Sequence, residues 1–180
     1  MIYSNFTGND KLLNTNCKII QNLQKMQNQS RDISGSVIGI LSGDSLIVQS
    51  EQFDNSLHIQ IISLEHLVAP KFGSPDGQIL DEPHGYNSWE FMRQICIGKS
   101  IIVKPQPQKG QLYRTHPSFG RLQVIFGRVM VYDYTHSQYI DVGLLCVSNG
   151  WVRIRSPPNT NSYIQNLINN EYYAKSNKLG

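Results

Sequence analysis

A chain of 180 residues exceeds the common domain size of about 100 to 150 residues without reaching two such domains, so one core with tails is expected. Hydrophobic residues make up 39% and mean hydropathy is −0.32, and no run approaches the roughly 18 consecutive apolar residues of a spanning helix, which excludes a transmembrane protein of that kind. Charged residues are only 16% and the formal net charge is +3, too neutral a mixture for a charge-rich disordered chain. The start MIYSNFTGND lacks a basic stretch followed by an apolar one, so no secretory signal is expected. Cys17, Cys96 and Cys146 are isolated, which excludes a disulfide framework and a Cys-ligated zinc site and favours a reducing compartment, the cytoplasm first and the nucleus second.

Residues 1–33 read as an extension rich in Asn, Gln and Lys, with Leu12, Leu13, Ile19, Ile20, Leu23 and Met26 at loose helical spacing; residues 34–180 read as the folded domain. SVIGILS, SLIVQS and LHIQIISL are short β-type runs parted by Ser42-Gly43-Asp44 and Asp54-Asn55-Ser56, which predicts three antiparallel strands with tight reversals. Ser88 is placed to cap a helix over WEFMRQICIG that Gly98 closes, with Phe91, Met92, Ile95 and Cys96 as its buried stripe. SIIVKPQ and LQVIFGRVMVYDY resume the strand pattern, and LYRTHPSFG between them reads as a basic, aromatic loop. IDVGLLCVSNG predicts a short helix, and NSYIQNLINNEYYAKSNK a last one with Tyr163, Leu167, Ile168 and Ala174 inward. Three strands, a helix, two strands and two closing helices describe an α+β, mainly β, five-stranded OB-type barrel with about three helices, and such barrels bind oligonucleotides on a strand face.

From Lys99 to Arg128 the chain carries Lys99, Lys104, Lys109, Arg114, Arg121 and Arg128 with no acidic residue. That run suits either an anionic partner such as nucleic acid or a solvated barrel face. Tyr113, Arg114, His116, Phe119 and Arg121 form either a surface loop or an aromatic and cationic surface that stacks bases and follows a backbone. Arg128, set among VIF and VMV, needs a partner or a phosphate. Trp89 and Trp151 read as packing residues, and His58, His84 and His136 lack the spacing of a metal or catalytic constellation.

VIGILSGDSLIV, DEPHGYNSWEFMRQICIGK, FGRVMVY and LLCVSNGWVR, in that order, resemble the staphylococcal-nuclease-like family over roughly Ser34 to Gly180, and within it the SN repeats of Tudor-SN-type proteins of RNA silencing, the N-terminal repeat in particular. The resemblance implies an OB barrel, RNA as partner, single- or double-stranded, further SN and Tudor repeats on the same longer chain, and no membrane. It implies for active members two carboxylates on calcium, two arginines on the scissile phosphate and a glutamate that activates water. Asp44 and Glu65 match the metal carboxylates, with His66 at the neighbouring carbonyl, and Arg128 matches one phosphate clamp. Gln60 stands at the other clamp, Val68 at the glutamate, and Ser156 and Pro158 at the substrate-stacking tyrosines. The expectation is a nucleic-acid-binding surface of Lys104, Lys109, Tyr113, Arg114, Phe119, Arg121 and Arg128 beside a degenerate hydrolytic site, with calcium as the one candidate cofactor. A weak calcium-dependent phosphodiesterase built on Asp44, Glu65 and Arg128 and a protein-interaction scaffold stay open as alternatives.

Overall fold

The computed structural model describes residues 32–51, 57–73, 80–155 and 161–180. The predicted N-terminal extension and its helix, and the Asp54-Asn55-Ser56 reversal, lie outside the described residues apart from Asp32 and Ile33, and Ile33 already opens the first strand. Strands β1 (Ile33–Ser42), β2 (Ser45–Glu51) and β3 (Leu57–Leu64) pair antiparallel as predicted, with Val37 opposite Val48 and Leu46 opposite Ile62. Alternation sends Val37, Leu46, Val48, Ile62 and Leu64 into one core, where each is at most 2% exposed. The β1–β2 turn passes so close to the first helix that a Cβ on Gly43 would stand 1.9 Å from Ser88 Oγ, which is why glycine occupies the turn.

Strands β4 (Leu67–Val68), β5 (Ser100–Pro105), β6 (Leu112–His116), β7 (Gly120–Asp133), β8 (Gln138–Asp141) and β9 (Arg153–Ile154) follow. β5 pairs with β1 and β7, and β7 runs parallel to β3 from Ile61 opposite Val124 to Leu64 opposite Gly127. The ring β1–β2–β3–β7–β5 therefore closes into a strongly curved, OB-like barrel. At 14 residues, about 46 Å, β7 outruns the barrel, and its two ends pair with β6 and β8. Leu112–His116, expected as a loop, is thus a strand; its exposed polar residues hid a ladder that long β7 templates. β4 and β9 pair as a separate two-residue ribbon, too short for a periodic signal.

Helix α1 (Gly85–Cys96) buries Met92 and Cys96, with Phe91 and Ile95 packed alongside. Ser88 does not cap it. The helix opens three residues earlier behind His84, whose φ is 66° and whose side chain makes no cap, while Ser88 lies buried in the first turn and donates to the Trp151 carbonyl at 2.7 Å. Gly98 ends the helical segment at φ 71° and donates to the Val37 carbonyl, returning the chain to the barrel. Helix α2 (Val142–Ser148) is capped by Asp141, and α3 (Ser162–Ser176) by Asn161. The inner face of α3 is Ile164, Leu167 and Ala174; Ile168, expected inward, is 39% exposed. Glu171 fixes that face by accepting the Ile154 N–H at 3.0 Å, an anchor to β9 that periodicity alone does not contain. Among the described residues no helix is long and apolar enough to cross a membrane.

Candidate nucleic-acid interface

The β1–β2 turn, β3, β6 and the residue after β9 surround a groove of about 340 Å³. Asp44 Oδ1 accepts from Ser42 Oγ at 2.6 Å and Ser45 Oγ at 3.3 Å, and the Ser45 and Ser63 hydroxyls lie 3.0 Å apart. Outward-facing Ile61 meets Leu122 and Val124 in a second apolar cluster that floors the groove. Arg114 and Arg155 border it from two separate elements, and both are exposed. Arg155 is placed by its own N–H, which donates to the His66 carbonyl at 2.7 Å. Composition-level reading missed Arg155, although the Arg-Ile-Arg alternation puts Arg153 and Arg155 on one side of an extended chain.

The β6–β7 ribbon brings both Tyr113 and Arg114 to the groove lining. Arg114 stands opposite buried Leu122, Tyr113 opposite Gln123 and Thr115 opposite Arg121. The Arg121 guanidinium lies 4.2 Å from the Tyr113 ring centroid, and the Tyr113 hydroxyl donates to Gln111 Oε1 at 2.6 Å. At the ribbon's tip His116 and Phe119 rings are 5.0 Å apart. Tyr113 and Phe119 are 40% and 41% exposed, so ring surface beyond what Arg121 and His116 cover is left for a stacking partner. Lys109 is exposed in the loop before β6, and exposed Lys104 lies on β5 directly opposite Arg128, away from the groove lining.

Arg128 has found a protein partner. Its Nε donates to Asp141 Oδ2, and its guanidinium lies 4.5 Å from the Tyr163 ring centroid. Asp141 Oδ1 accepts the Leu144 N–H at 2.9 Å and the Tyr163 hydroxyl at 3.5 Å, and the residue is 8% exposed. Glu65 adjoins this cluster: burial pushes its carboxyl above the usual range, Arg128 pulls it down and Asp141 pushes it up. Burial, then Asp141 and Glu65, drives the Tyr163 hydroxyl well above its ordinary value.

Glu65 directly follows Leu64, whose N–H donates to the Asp44 carbonyl at 2.8 Å; it is not part of the groove lining, and its electrostatic neighbours are Arg128 and Asp141. The His66 carbonyl accepts from Arg155, and the His66 ring, with its pKa pushed down by burial, stands 3.4 Å from Gln106 Nε2. Gln60 is 6% exposed, shares the inward face with Ile62 and Leu64, and donates to Ser50 Oγ at 3.3 Å. Val68 stands opposite Arg153 in the β4–β9 ribbon. Among the described residues no three His, Cys, Asp or Glu side chains group so as to hold a metal ion.

No family model matches the chain. Ribonuclease TUDOR 1 and Ribonuclease TUDOR 2 of Arabidopsis thaliana are 28% and 30% identical to it, each over 155 residues. The aligned region covers 82% of this chain and 14% of each relative, so the chain spans about a seventh of the length of the curated proteins it matches. The chain is homologous over most of its length to the plant TUDOR ribonucleases, and its curved barrel with three helices is consistent with an SN-like domain of Tudor-SN.

Proposed function

We propose that this chain is an RNA-binding SN-like domain within a longer Tudor-SN-type protein of RNA silencing and RNA metabolism, with a degenerate hydrolytic site and further repeats of the same chain as neighbours. The cytoplasm is its compartment on this reading. The observation that carries the proposal is the meeting of Arg114 and Arg155 at one groove, beside a ribbon whose Tyr113, His116, Phe119 and Arg121 present stacking and cationic surface. Guanidinium groups follow phosphates and aromatic faces take bases without demanding a sequence. Lys109 extends the positive path, while Lys104 and Arg128 form a separate patch beyond it.

A weak calcium-dependent phosphodiesterase is favoured by one finding, the ribonuclease name of both relatives. Against it, calcium takes six to eight oxygen ligands, and among the described residues no three His, Cys, Asp or Glu side chains group so as to supply them. A positioned base is worth about 10² to 10⁴ in rate and a preorganised charge donor about 10² to 10³. Val68 supplies no base, and Arg128 is committed to Asp141.

Fluorescence anisotropy with a short oligouridine tests the binding reading. Log affinity should fall linearly with log salt, about 0.7 per phosphate neutralised. Reversing Arg114 and Arg155 to Glu should flatten that slope and reversing Arg121 should weaken binding further. Affinity indifferent to salt and to these reversals refutes the proposal.

A further inference from the structure

We infer that the groove reads the ribose 2′-hydroxyl, so that this domain prefers RNA to DNA at a single nucleotide position. The inference rests on the nucleic-acid reading above and adds which sugar the site takes.

The groove is chemically mixed. Arg114 and Arg155 bring positive charge to its rim, where a phosphodiester gains from guanidinium donors. The groove is also lined by a carboxylate with hydroxyls beside it: Asp44 accepts from Ser42 and Ser45, and Ser63 stands against Ser45. Both hydrogen bonds that Asp44 accepts on its side chain go to Oδ1, and among the described residues Oδ2 accepts none. An ionised carboxylate is an acceptor only, so what it takes up must bring a proton. A phosphate oxygen brings none and is repelled by the charge.

A sugar hydroxyl brings one. On a ribonucleotide the 2′-hydroxyl is separated from its own 3′-phosphate by two carbons and an oxygen, so a nucleotide with its phosphate at the arginine rim directs that hydroxyl toward the carboxylate. Ser63 can serve the hydroxyl oxygen in turn, because Ser45 gives its proton to Asp44 and the Ser63 proton is left to donate either to Ser45 Oγ or to the sugar. A volume of about 340 Å³ accommodates one ribose with its phosphate. Deoxyribose leaves Oδ2 without the donor, and the 2′-hydroxyl is the group through which a protein tells RNA from DNA.

Short oligouridine, oligodeoxyuridine and 2′-O-methyl oligouridine are compared on the full chain by anisotropy, at one salt concentration and with chelator present. All three strands carry the same base, so the uracil N3–H donor contributes equally to each and cannot produce a difference between sugars, and the chelator removes any effect routed through a divalent ion. The ribose strand should bind about tenfold more tightly than either of the others, the range for a hydrogen bond to a charged group. Asp44→Ala should bring the ratio toward one. Ser63→Ala, a change outside the turn, should lower it as well, and keeps the test valid if the turn variant fails to fold. Arg155→Ala should weaken ribose and deoxyribose strands by similar factors.

Equal affinity for ribose and deoxyribose strands in the wild type overturns the inference while leaving nucleic-acid binding intact. A ratio unmoved by Asp44→Ala and Ser63→Ala also overturns it. Failure of every strand to bind would instead sink the nucleic-acid reading itself.

Discussion

Arg128 donates through Nε to one carboxylate oxygen of Asp141, and the other oxygen of Asp141 accepts the Leu144 N–H at the start of α2. One side chain therefore neutralises a half-buried guanidinium of the barrel and caps the helix laid against it. Asp141→Ala removes a cap, worth about 0.5–2 kcal/mol, and strands the Arg128 charge. Arg128 keeps a third of its side chain in water, so the charge loss falls below the figure for a fully buried pair. Chemical denaturation should show a total loss of about 2–4 kcal/mol, with Asp141→Asn retaining part of it through its cap oxygen. A loss below about 0.5 kcal/mol would mean that the pair does not hold the helix.

Glu65 titrates against that cluster. Its folded pKa is raised above the ordinary 4.5, burial being the main cause, so the folded chain holds the proton more tightly than the unfolded one. The stability this adds is present below the unfolded value and is lost as pH rises through the raised folded one. Glu65→Gln removes the cost of the charge, discounted because the residue is only half buried. The melting temperature of the variant minus that of the wild type should therefore increase between about pH 4 and pH 7. A difference that shrinks over this interval contradicts the burial argument.

Gly127 precedes Arg128, and its carbonyl accepts the Glu65 N–H at 3.1 Å. A Cβ there would lie 2.7 Å from the Lys104 carbonyl oxygen and 3.1 Å from Pro105 Cα, atoms of the paired β5 backbone that cannot turn aside. Gly127→Ala should cost about 1–3 kcal/mol by overpacking. Thermal unfolding measures it, and an unchanged melting temperature would contradict the close approach of the two strands.

Writing arginine at Gln60 and glutamate at Val68 fills the two positions where the sequence departs from the active-family pattern. Gln60 faces the barrel interior beside Val48, so Gln60→Arg should destabilise by about 3 kcal/mol, the cost of an uncompensated buried charge. Val68→Glu is held in the β4–β9 ribbon opposite Arg153, an immediate counter-charge for the new carboxylate. The double variant should cleave single-stranded RNA with calcium no faster than the wild type. A clear calcium-dependent gain would promote the phosphodiesterase reading.

The barrel is legible because its five closing strands carry alternating apolar runs and a turn with Gly43. Ser88 was misread since Ser before a helical run looks the same whether it caps the first turn or sits inside it; the Trp151 carbonyl that holds it is 63 residues away. The ribbon strand β6 was hidden by its exposed polar residues, which a partner strand alone can order. At the candidate site, Asp44 and Arg114 could be named from the chain, but their meeting with Arg155 depends on three separate crossings of the fold. The partner of Arg128 is equally invisible, because Asp141 lies 13 residues further along the chain and no local pattern joins the two.

The account stands most directly on where RNA touches the chain, which backbone amide chemical-shift mapping measures. Titrating short oligouridine into the isotopically labelled full chain should move the amides of Ser42, Asp44, Ser45, Ser63, Arg114 and Arg155 first, followed by those of the β6–β7 ribbon. Shifts confined to the opposite side of the sheet, around the Tyr132, Tyr134 and Tyr139 cluster, with the Asp44 groove unmoved, would contradict it.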